Sequence, residues 1–273
     1  MSPVHTVDEV LDAVRRIKAG ATGFCTNLFP SPQKLQSWVD HHELFSEPRD
    51  GATFFFKKDR DFWHLYFCAA DLPGLRQAMN LVPQLANEPV VADLVGVDAA
   101  LGELSSSLET AGFRRYARLQ RMSRTGPGDE AGRAVDDPAV FAEKHDSPAV
   151  LELIESLFDR YGEQLPMPYE IESAVANHQV LAVKRDDTVA GILFFETQGL
   201  ASAVRFWAVA EKYQSSGVGS ALMRRYLQVH SDVRRFTLWV NGDNQNAIRK
   251  YEHYRYAPDG LVDCILANGL IHP

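Results

Sequence analysis

The 273-residue sequence is poor in cysteine, poor in long apolar runs and short of positive charge. Its three cysteines, Cys25, Cys68 and Cys264, have no CxxC spacing and cannot all pair, which argues against a disulfide framework or a cysteine metal site. The longest strongly apolar run, Val189 to Phe195, falls far short of the roughly 20 residues that a bilayer span needs, so no membrane partner is expected. The opening MSPVHTVDEV has no basic stretch leading into an apolar one, and the expectation is a cytoplasmic protein in a reducing compartment. The nine histidines have no paired spacing with carboxylates or cysteines beyond His41-His42, so no metal is expected either. The net charge is −8, and it is lopsided. Residues 1–125 carry 14 Lys/Arg against 15 Asp/Glu, whereas residues 126–273 carry 14 against 21. Without a concentrated basic field, nucleic acid is not an expected partner.

What remains is an ordinary globular composition, 45% hydrophobic and 23% charged, long enough for one large domain or two of usual size. The stretch from Ser123 to Arg133 is rich in Gly and charge and has no apolar periodicity. It divides the chain into a first domain at 1–125, a linker at 126–136 and a second domain at 137–273. In the first, Thr6 and Glu9 have capping-box spacing ahead of an apolar helical stripe at Val7, Val10, Leu11, Val14 and Ile17. Ala52–Lys57 and Phe62–Ala69 read as a hairpin, followed by a helix over 74–85, a strand over 90–97, a helix capped by Asp98 and ended by Gly112, and a strand over 113–122. The aromatic run Phe54-Phe-Phe56 with Phe62-Trp63 suits buried sheet, or a wall beside an acceptor pocket.

The second half repeats that order. A short strand near 139–143 precedes a helix capped by Ser147 or Asp146, then come a proline loop, a short helix around 169–176, a hairpin (180–184 and 188–196), a strand at 203–209, a helix at 217–229, a strand at 236–240 and a helix at 244–254. Strands alternating with helices predict a mixed α/β sheet, of the α+β kind.

Chemistry concentrates in two segments. In Gln214-Ser-Ser-Gly-Val-Gly-Ser220 a strand leads through a glycine turn into an amphipathic helix, which aims unpaired backbone N–H groups at an anion. Gly217 and Gly219 allow a ligand to approach where a Cβ would collide. A plain tight turn explains this loop equally well by itself. The second segment is Asn244-Gln-Asn-Ala-Ile-Arg-Lys-Tyr-Glu252, a helix with Ala247, Ile248, Tyr251 and Tyr254 along one side.

Gln-x-x-Gly-x-Gly at 214–219, about 25 residues before Asn-x-x-Ala-Ile-x-x-Tyr-Glu, resembles the GNAT superfamily of N-acyltransferases over roughly residues 139–273. The resemblance departs at Arg255, where the family often has glycine. It implies two tandem folds, each a mixed, mostly antiparallel twisted sheet flanked by helices, and an acetyl-coenzyme A site on the second. By that resemblance the amides of Gln214, Ser215, Ser216, Gly217, Val218, Gly219 and Ser220 hold the pyrophosphate. The edge formed by Phe206, Trp207, Ala208 and Val209 pairs with the pantetheine arm, between strands 203–209 and 236–240 that splay apart. Asn244 and Ala247 contact the cofactor, and Tyr251 lies near its sulfur as the acid for the leaving thiolate. A backbone N–H near Ala208 or Val209 is the oxyanion donor. Strand 203–209 lacks the glutamate that family members often use as base, which leaves Glu196 as substitute. Glu170, Glu172 and His178 lie where the family recognises acceptors.

Sliding the halves by 143 residues aligns Gly74 with Gly217, Ala78 with Ala221, Glu109 with Glu252 and Phe113 with Tyr256. In this register Asp71, Pro73 and Arg76 replace the anion loop and Leu108 replaces Tyr251, so the first domain is expected to be a degenerate copy without cofactor. The resulting expectation is an N-acetyltransferase acting on a small primary amine. Transfer to a peptide or protein amine and a non-catalytic acyl-coenzyme A sensor are the alternatives. An aminoacyl-tRNA-dependent transferase is disfavoured by the intact loop and the missing basic field.

Overall fold

The computed structural model describes residues 1–80, 82, 88–126 and 138–269. The expected linker at 126–136 falls outside them except for Gly126, as does the end of the helix expected over 74–85. The chain divides into two compact units, Met1–Leu119 with Gly260–Pro273, and Gln120–Asp259.

In chain order the elements are β1 (Ser2–Pro3), α1 (Val7–Ala19), β2 (Cys25–Thr26), α2 (Pro32–Asp40), β3 (Leu44–Arg49), β4 (Ala52–Asp59), β5 (Phe62–Ala69), α3 (Leu72–Met79), β6 (Val90–Val97), α4 (Asp98–Thr110) and β7 (Arg114–Thr125). There follow β8 (Ala139–Phe141), α5 (Ser147–Leu157), α6 (Pro168–Ala176), β9 (Val180–Arg185), β10 (Thr188–Gln198), β11 (Ala201–Val209), α7 (Val218–Val229), β12 (Arg235–Asn241), α8 (Gln245–His253) and β13 (Ala257–Asn268).

In the first unit the strands run β1-β3-β4-β5-β6-β13, antiparallel throughout except for the β5–β6 pair. Alternation along β4 and β5 sends Phe54, Phe56, Leu65 and Phe67 to the face under α3 and α4. It sends Phe55, Tyr66 and Cys68 to the face under α1 and α2. The aromatic run is therefore buried sheet, with Trp63 half-buried and packed edge-on against Phe45 at 5.5 Å. Thr6 caps α1 by accepting from the Glu9 N–H at 3.3 Å, as the spacing predicts.

In the second unit the order is β12-β11-β10-β9-β8, with β11–β12 the parallel pair. One face carries α7 and α8 over Leu193, Val204 and Leu238; the other carries α5 and α6 over Ile192, Phe194, Phe206 and Ala208. The β9–β10 turn puts Asp186 and Asp187 at φ 50° and 60°, the left-handed pair that a two-residue hairpin requires.

Three local expectations differ from what forms, and three elements had none. The segments α2 and β3 carried no clear expectation, and neither did the twelve-residue β13. Residues 261–268, grouped with the second domain by sequence, pair with β6 of the first unit from Leu261↔Val97 to Asn268↔Val90. Val262, Cys264 and Leu266 point into the first unit's core, which fixes that choice of partner. Asp98 is the first residue of α4 rather than its cap, and Val97 precedes it without a side-chain cap bond. Asp146 stands at the N-cap of α5, but its side chain makes no cap bond there; its carboxylate accepts from the Glu143 N–H at 2.8 Å and pairs with Lys184 Nζ at 2.9 Å.

Candidate functional site

The site in the second unit begins as a fault in a parallel ladder. β11 and β12 pair only from Ala201↔Arg235 to Val204↔Leu238, although both strands continue. On its other side β11 stays paired with β10 along its length, but the register slips because Phe194 opposes Phe206 while Phe195 opposes Val204. Arg205 is thus the extra residue of a β-bulge, and a bulge bends its strand and raises the local twist. From Arg205 to Val209 one backbone edge of β11 has no strand partner on the β12 side. A second slip, between Val189 and Gly191, brings β10 under α7. A Cβ at Gly191 would lie 2.7 Å from Val218 Cγ1 and 2.9 Å from the Ala208 carbonyl oxygen.

Beyond β11 the chain makes one 3-10 turn, Glu211–Tyr213, and then the exposed loop into α7. Ser215 and Gly217 take left-handed φ values of 61° and 86°. The Gln214 and Ser216 amides donate to the carbonyls of Glu211 and Tyr213 at 3.1 and 3.3 Å, so they serve the turn itself. The first bond of α7 runs from the Ala221 N–H to the Gly217 carbonyl at 3.0 Å. The N–H groups of Val218, Gly219 and Ser220 therefore lie ahead of the ladder, as at any helix start. No side chain caps α7. Gly219 is needed for a different reason from Gly217: its Cβ would lie 3.3 Å from Trp207 Cζ2 and 3.5 Å from Val209 Cγ2.

At the open edge, Trp207 and Tyr251 meet with ring centroids 5.6 Å apart, tilted by 49°. Tyr254 stands edge-on to the same indole at 5.8 Å. Asn244 starts α8 by accepting the Ala247 N–H at 3.0 Å, which fixes the turn of helix that presents Ala247 and Tyr251. The structure thus gathers Trp207, Ala208, Val209, Gly219, Ala247 and Tyr251 around the divergence. Trp207 Nε1 is buried there without a hydrogen-bond partner. Burial, then the nearby charge of Glu163, raises the Tyr251 phenol well above its usual value, so it stays protonated.

Glu196 is not brought to this place. It is paired with Ala203 across the ladder and its carboxylate binds Arg205 Nη1 at 2.8 Å. At about 3.3 Å per residue, Ala203 is roughly 16 Å along β11 from Ala208. Glu170 accepts the Met167 N–H at 2.8 Å at the start of α6, while Glu172 and His178 are exposed.

The carboxylate that does come near Tyr251 is Glu163, which carried no sequence signal. Its loop, 158–167, is anchored over β11 by the Phe158 ring, edge-on to Phe206 at 5.0 Å, and by buried Leu165 in the cluster of Phe206 and Ala208. Asp159 Oδ1 accepts from the amides of Tyr161 and Gly162 at 2.9 and 2.7 Å and tightens the loop. Burial and the like charge of Asp159 push the Glu163 carboxyl up to about 7.

The first unit has the matching divergence, but it is filled. β5 and β6 pair only at Trp63↔Val90 and His64↔Val91. Beyond them β2 takes the same edge of β5, with Cys25↔Ala69 and Thr26↔Cys68. The buried Asn27 carboxamide donates to the carbonyls of Leu65 and Asp93 at 2.9 and 3.1 Å and accepts the Phe67 N–H at 2.7 Å. At the start of α3 the Asp71 carboxylate caps the Gly74 N–H at 2.7 Å, where α7 has no cap. The 143-residue register holds at the helix ends. Phe113 N–H to Leu108 O and Tyr256 N–H to Tyr251 O are both 3.1 Å, so Leu108 stands where Tyr251 does.

Among the described residues no helix is long and apolar enough to cross a membrane, and no cluster of His, Cys, Asp or Glu could hold a metal ion. The family described as acetyltransferase (GNAT) family matches residues 148–255. Several solved structures share the fold. A tandem GNAT protein from the clavulanic acid biosynthesis pathway, solved without acetyl-coenzyme A, is 12% identical with TM-score 0.61, covering 99% of this chain and 99% of its own. A GCN5-related N-acetyltransferase from Sphaerobacter thermophilus is 16% identical with TM-score 0.59, over 80% of this chain and 76% of its own. One from Kribbella flavida is 14% identical with TM-score 0.58, over 95% and 96%. No curated protein matches the chain in sequence.

Proposed function

From the match of residues 148–255 to the acetyltransferase (GNAT) family we propose that the protein moves an acetyl group from acetyl-coenzyme A to a primary amine of a small molecule. The observation that carries this reading is the divergence of β11 from β12 after Val204↔Leu238, with Trp207 and Tyr251 at its edge and the α7 amides at its end.

The residues suit acetyl-coenzyme A on their own chemistry. The open edge from Arg205 to Val209 offers backbone donors and acceptors to an amide-rich arm, as an added strand would use them. The orphaned Trp207 Nε1 supports the same fit, since a buried donor without a partner costs about 1–3 kcal/mol until something accepts from it. The amides of Val218, Gly219 and Ser220, with those of Ser215 and Gly217, would hold the pyrophosphate. Asn244 would lie beside the cofactor, and Ala247 would leave room for it. The charge at the helix start contributes only about 0.3–1 kcal/mol, so several amides together must supply the affinity.

Acetyl-coenzyme A supplies the activated acyl carbon. The chain's part is to hold that carbonyl against a β11 amide near Ala208 or Val209, where a developing oxyanion is stabilised by about 10²–10³-fold in rate. Tyr251, kept protonated by burial, donates its proton to the departing sulfur. One acetyl-coenzyme A per chain is expected, because in the first unit Asn27 and β2 already use the edge of β5 and Asp71 already uses the start of α3. No nucleic acid or membrane takes part in this reading.

The absence of a carboxylate from β11 favours a second reading, an acyl-coenzyme A sensor without turnover. Mass spectrometry of amine pools incubated with protein and acetyl-coenzyme A separates the two. Acetylated products, reduced about 10²-fold or more by Tyr251→Phe, support the enzyme. No product from any amine, with stability raised by about 2.7 kcal/mol at 100 times the dissociation constant, supports the sensor.

A further inference from the structure

We propose that Glu163 is the proton acceptor for the incoming amine, carried over the C-terminal half of β11 by the 158–167 loop. This rests on the amine acetyltransferase reading above.

The step needs a carboxylate that is near the acyl carbon, has a proton affinity suited to neutral pH, and is not already engaged. Glu163 meets each condition. Phe158 on Phe206, and buried Leu165 in the same core cluster as Phe206 and Ala208, hold its loop on a face of the stretch of β11 that has left β12. Its charge also acts on the Tyr251 phenol. The charged group acting on it is Asp159 in its own loop, and its own charge acts in turn on the Tyr251 phenol of α8. Arg160 of the same loop lies over the Tyr161 ring at 4.6 Å. A carboxyl tuned to about 7 accepts a proton near neutral pH and returns it readily. The backbone beside it is held in an uncommon conformation, with Gln164 at φ 35°.

The proton balance closes. An alkylammonium gives one proton to Glu163, and the freed nitrogen lone pair forms the C–N bond to the thioester carbon. The C–S bond then breaks with its electron pair on sulfur, which takes the Tyr251 proton. The tyrosinate recovers a proton from the new amide nitrogen, and Glu163 releases its own to water. One amide, one free thiol and one net proton result.

The test is the pH profile of acetylation with a panel of an aliphatic diamine, an amino-acid amide and an arylalkylamine. Wild type should show kcat/KM rising through an acidic limb near pH 7. Glu163→Gln should lower kcat/KM about 100-fold at pH 7 and abolish that limb, with the deficit shrinking at pH 9–10 where more amine is already neutral. Asp159→Asn, which keeps the acceptor for the loop amides but removes the like charge, should move the limb to lower pH. Glu163→Asp should retain the limb at reduced rate. An unchanged limb in Glu163→Gln, or a change in KM alone, overturns the assignment while leaving the acetyltransferase intact. If wild type acetylates none of the amines, the function itself fails. Glu163 is then judged by carboxyl ¹³C NMR titration, where a midpoint near 7 supports the tuned site and one near 4.3 overturns it.

Discussion

The Phe67 amide donates to the Asn27 carboxamide oxygen at 2.7 Å, so one side chain from outside the ladder completes the edge that β5 would otherwise leave open. The same carboxamide satisfies Leu65 and Asp93, which makes a buried residue with no sequence pattern around it responsible for closing a gap between two strands. Asn27→Ala would strand one amide and two carbonyls in a buried place and should cost at least about 2 kcal/mol. Urea denaturation measures that cost. Calorimetric titration should still find one acetyl-coenzyme A per chain, because the Asp71 carboxylate continues to cap α3.

Gly219 touches the indole side of the candidate cleft, with room for a Cβ only at 3.3 Å from Trp207. Gly219→Val should therefore weaken acetyl-coenzyme A binding about tenfold or more, equivalent to about 1.4 kcal/mol, while circular dichroism stays that of the parent. Gly219→Ala should have a much smaller effect, because the nearest atoms would need to give by only tenths of an ångström.

Arg255 holds a left-handed φ of 63° one residue beyond the cap of α8. Its N–H bonds the Glu252 carbonyl at 2.8 Å and the next N–H bonds Tyr251, the paired closure that glycine usually provides. Gly112 fills the equivalent position after α4 at φ 91°. Arg255→Gly should stabilise the protein by about 1 kcal/mol, since a Cβ in this region costs about that much or more. Thermal melting should rise by about 2–4 °C.

His230 is buried, with Nδ1 donating to the Tyr226 carbonyl at 2.8 Å and Nε2 accepting from Thr197 at 3.0 Å. Burial lowers its proton affinity below that of a free imidazole. As pH falls below about 6.5 the unfolded chain takes up this proton before the folded one does, so stability falls with acidification and is regained as pH rises. The urea midpoint of the parent should drop between pH 7.5 and 5.5 by more than that of His230→Gln, which has nothing to titrate there.

Legibility followed from how local each determinant was. The α7 and α8 segments could be read because a glycine turn, an asparagine cap and an apolar stripe are all short-range features. The departure from glycine at 255 was equally visible, and the structure shows which backbone angle makes it matter. The position of Glu163 was hidden, since it depends on Phe158 finding Phe206 almost fifty residues away. Glu196 looked suitable because it ends a neighbouring strand, but the ladder register sets it beside Ala203, at the wrong end of β11. Asn27 was invisible for a similar reason, being one polar residue whose partners come from β5 and β6.

The pairing of residues 261–268 with β6 bears on the order in which the chain matures. The first unit contains 119 consecutive residues, yet the strand beside β6 is synthesised more than 130 residues after β7 begins. Until the ribosome has passed residue 268, Val90–Val97 remains an apolar strand with an unclaimed edge. Closing so distant a contact slows folding and prolongs that exposure. A truncation at 125 would leave the same edge bare permanently, so the sequence division that looks natural on paper is a poor place to cut the protein for expression.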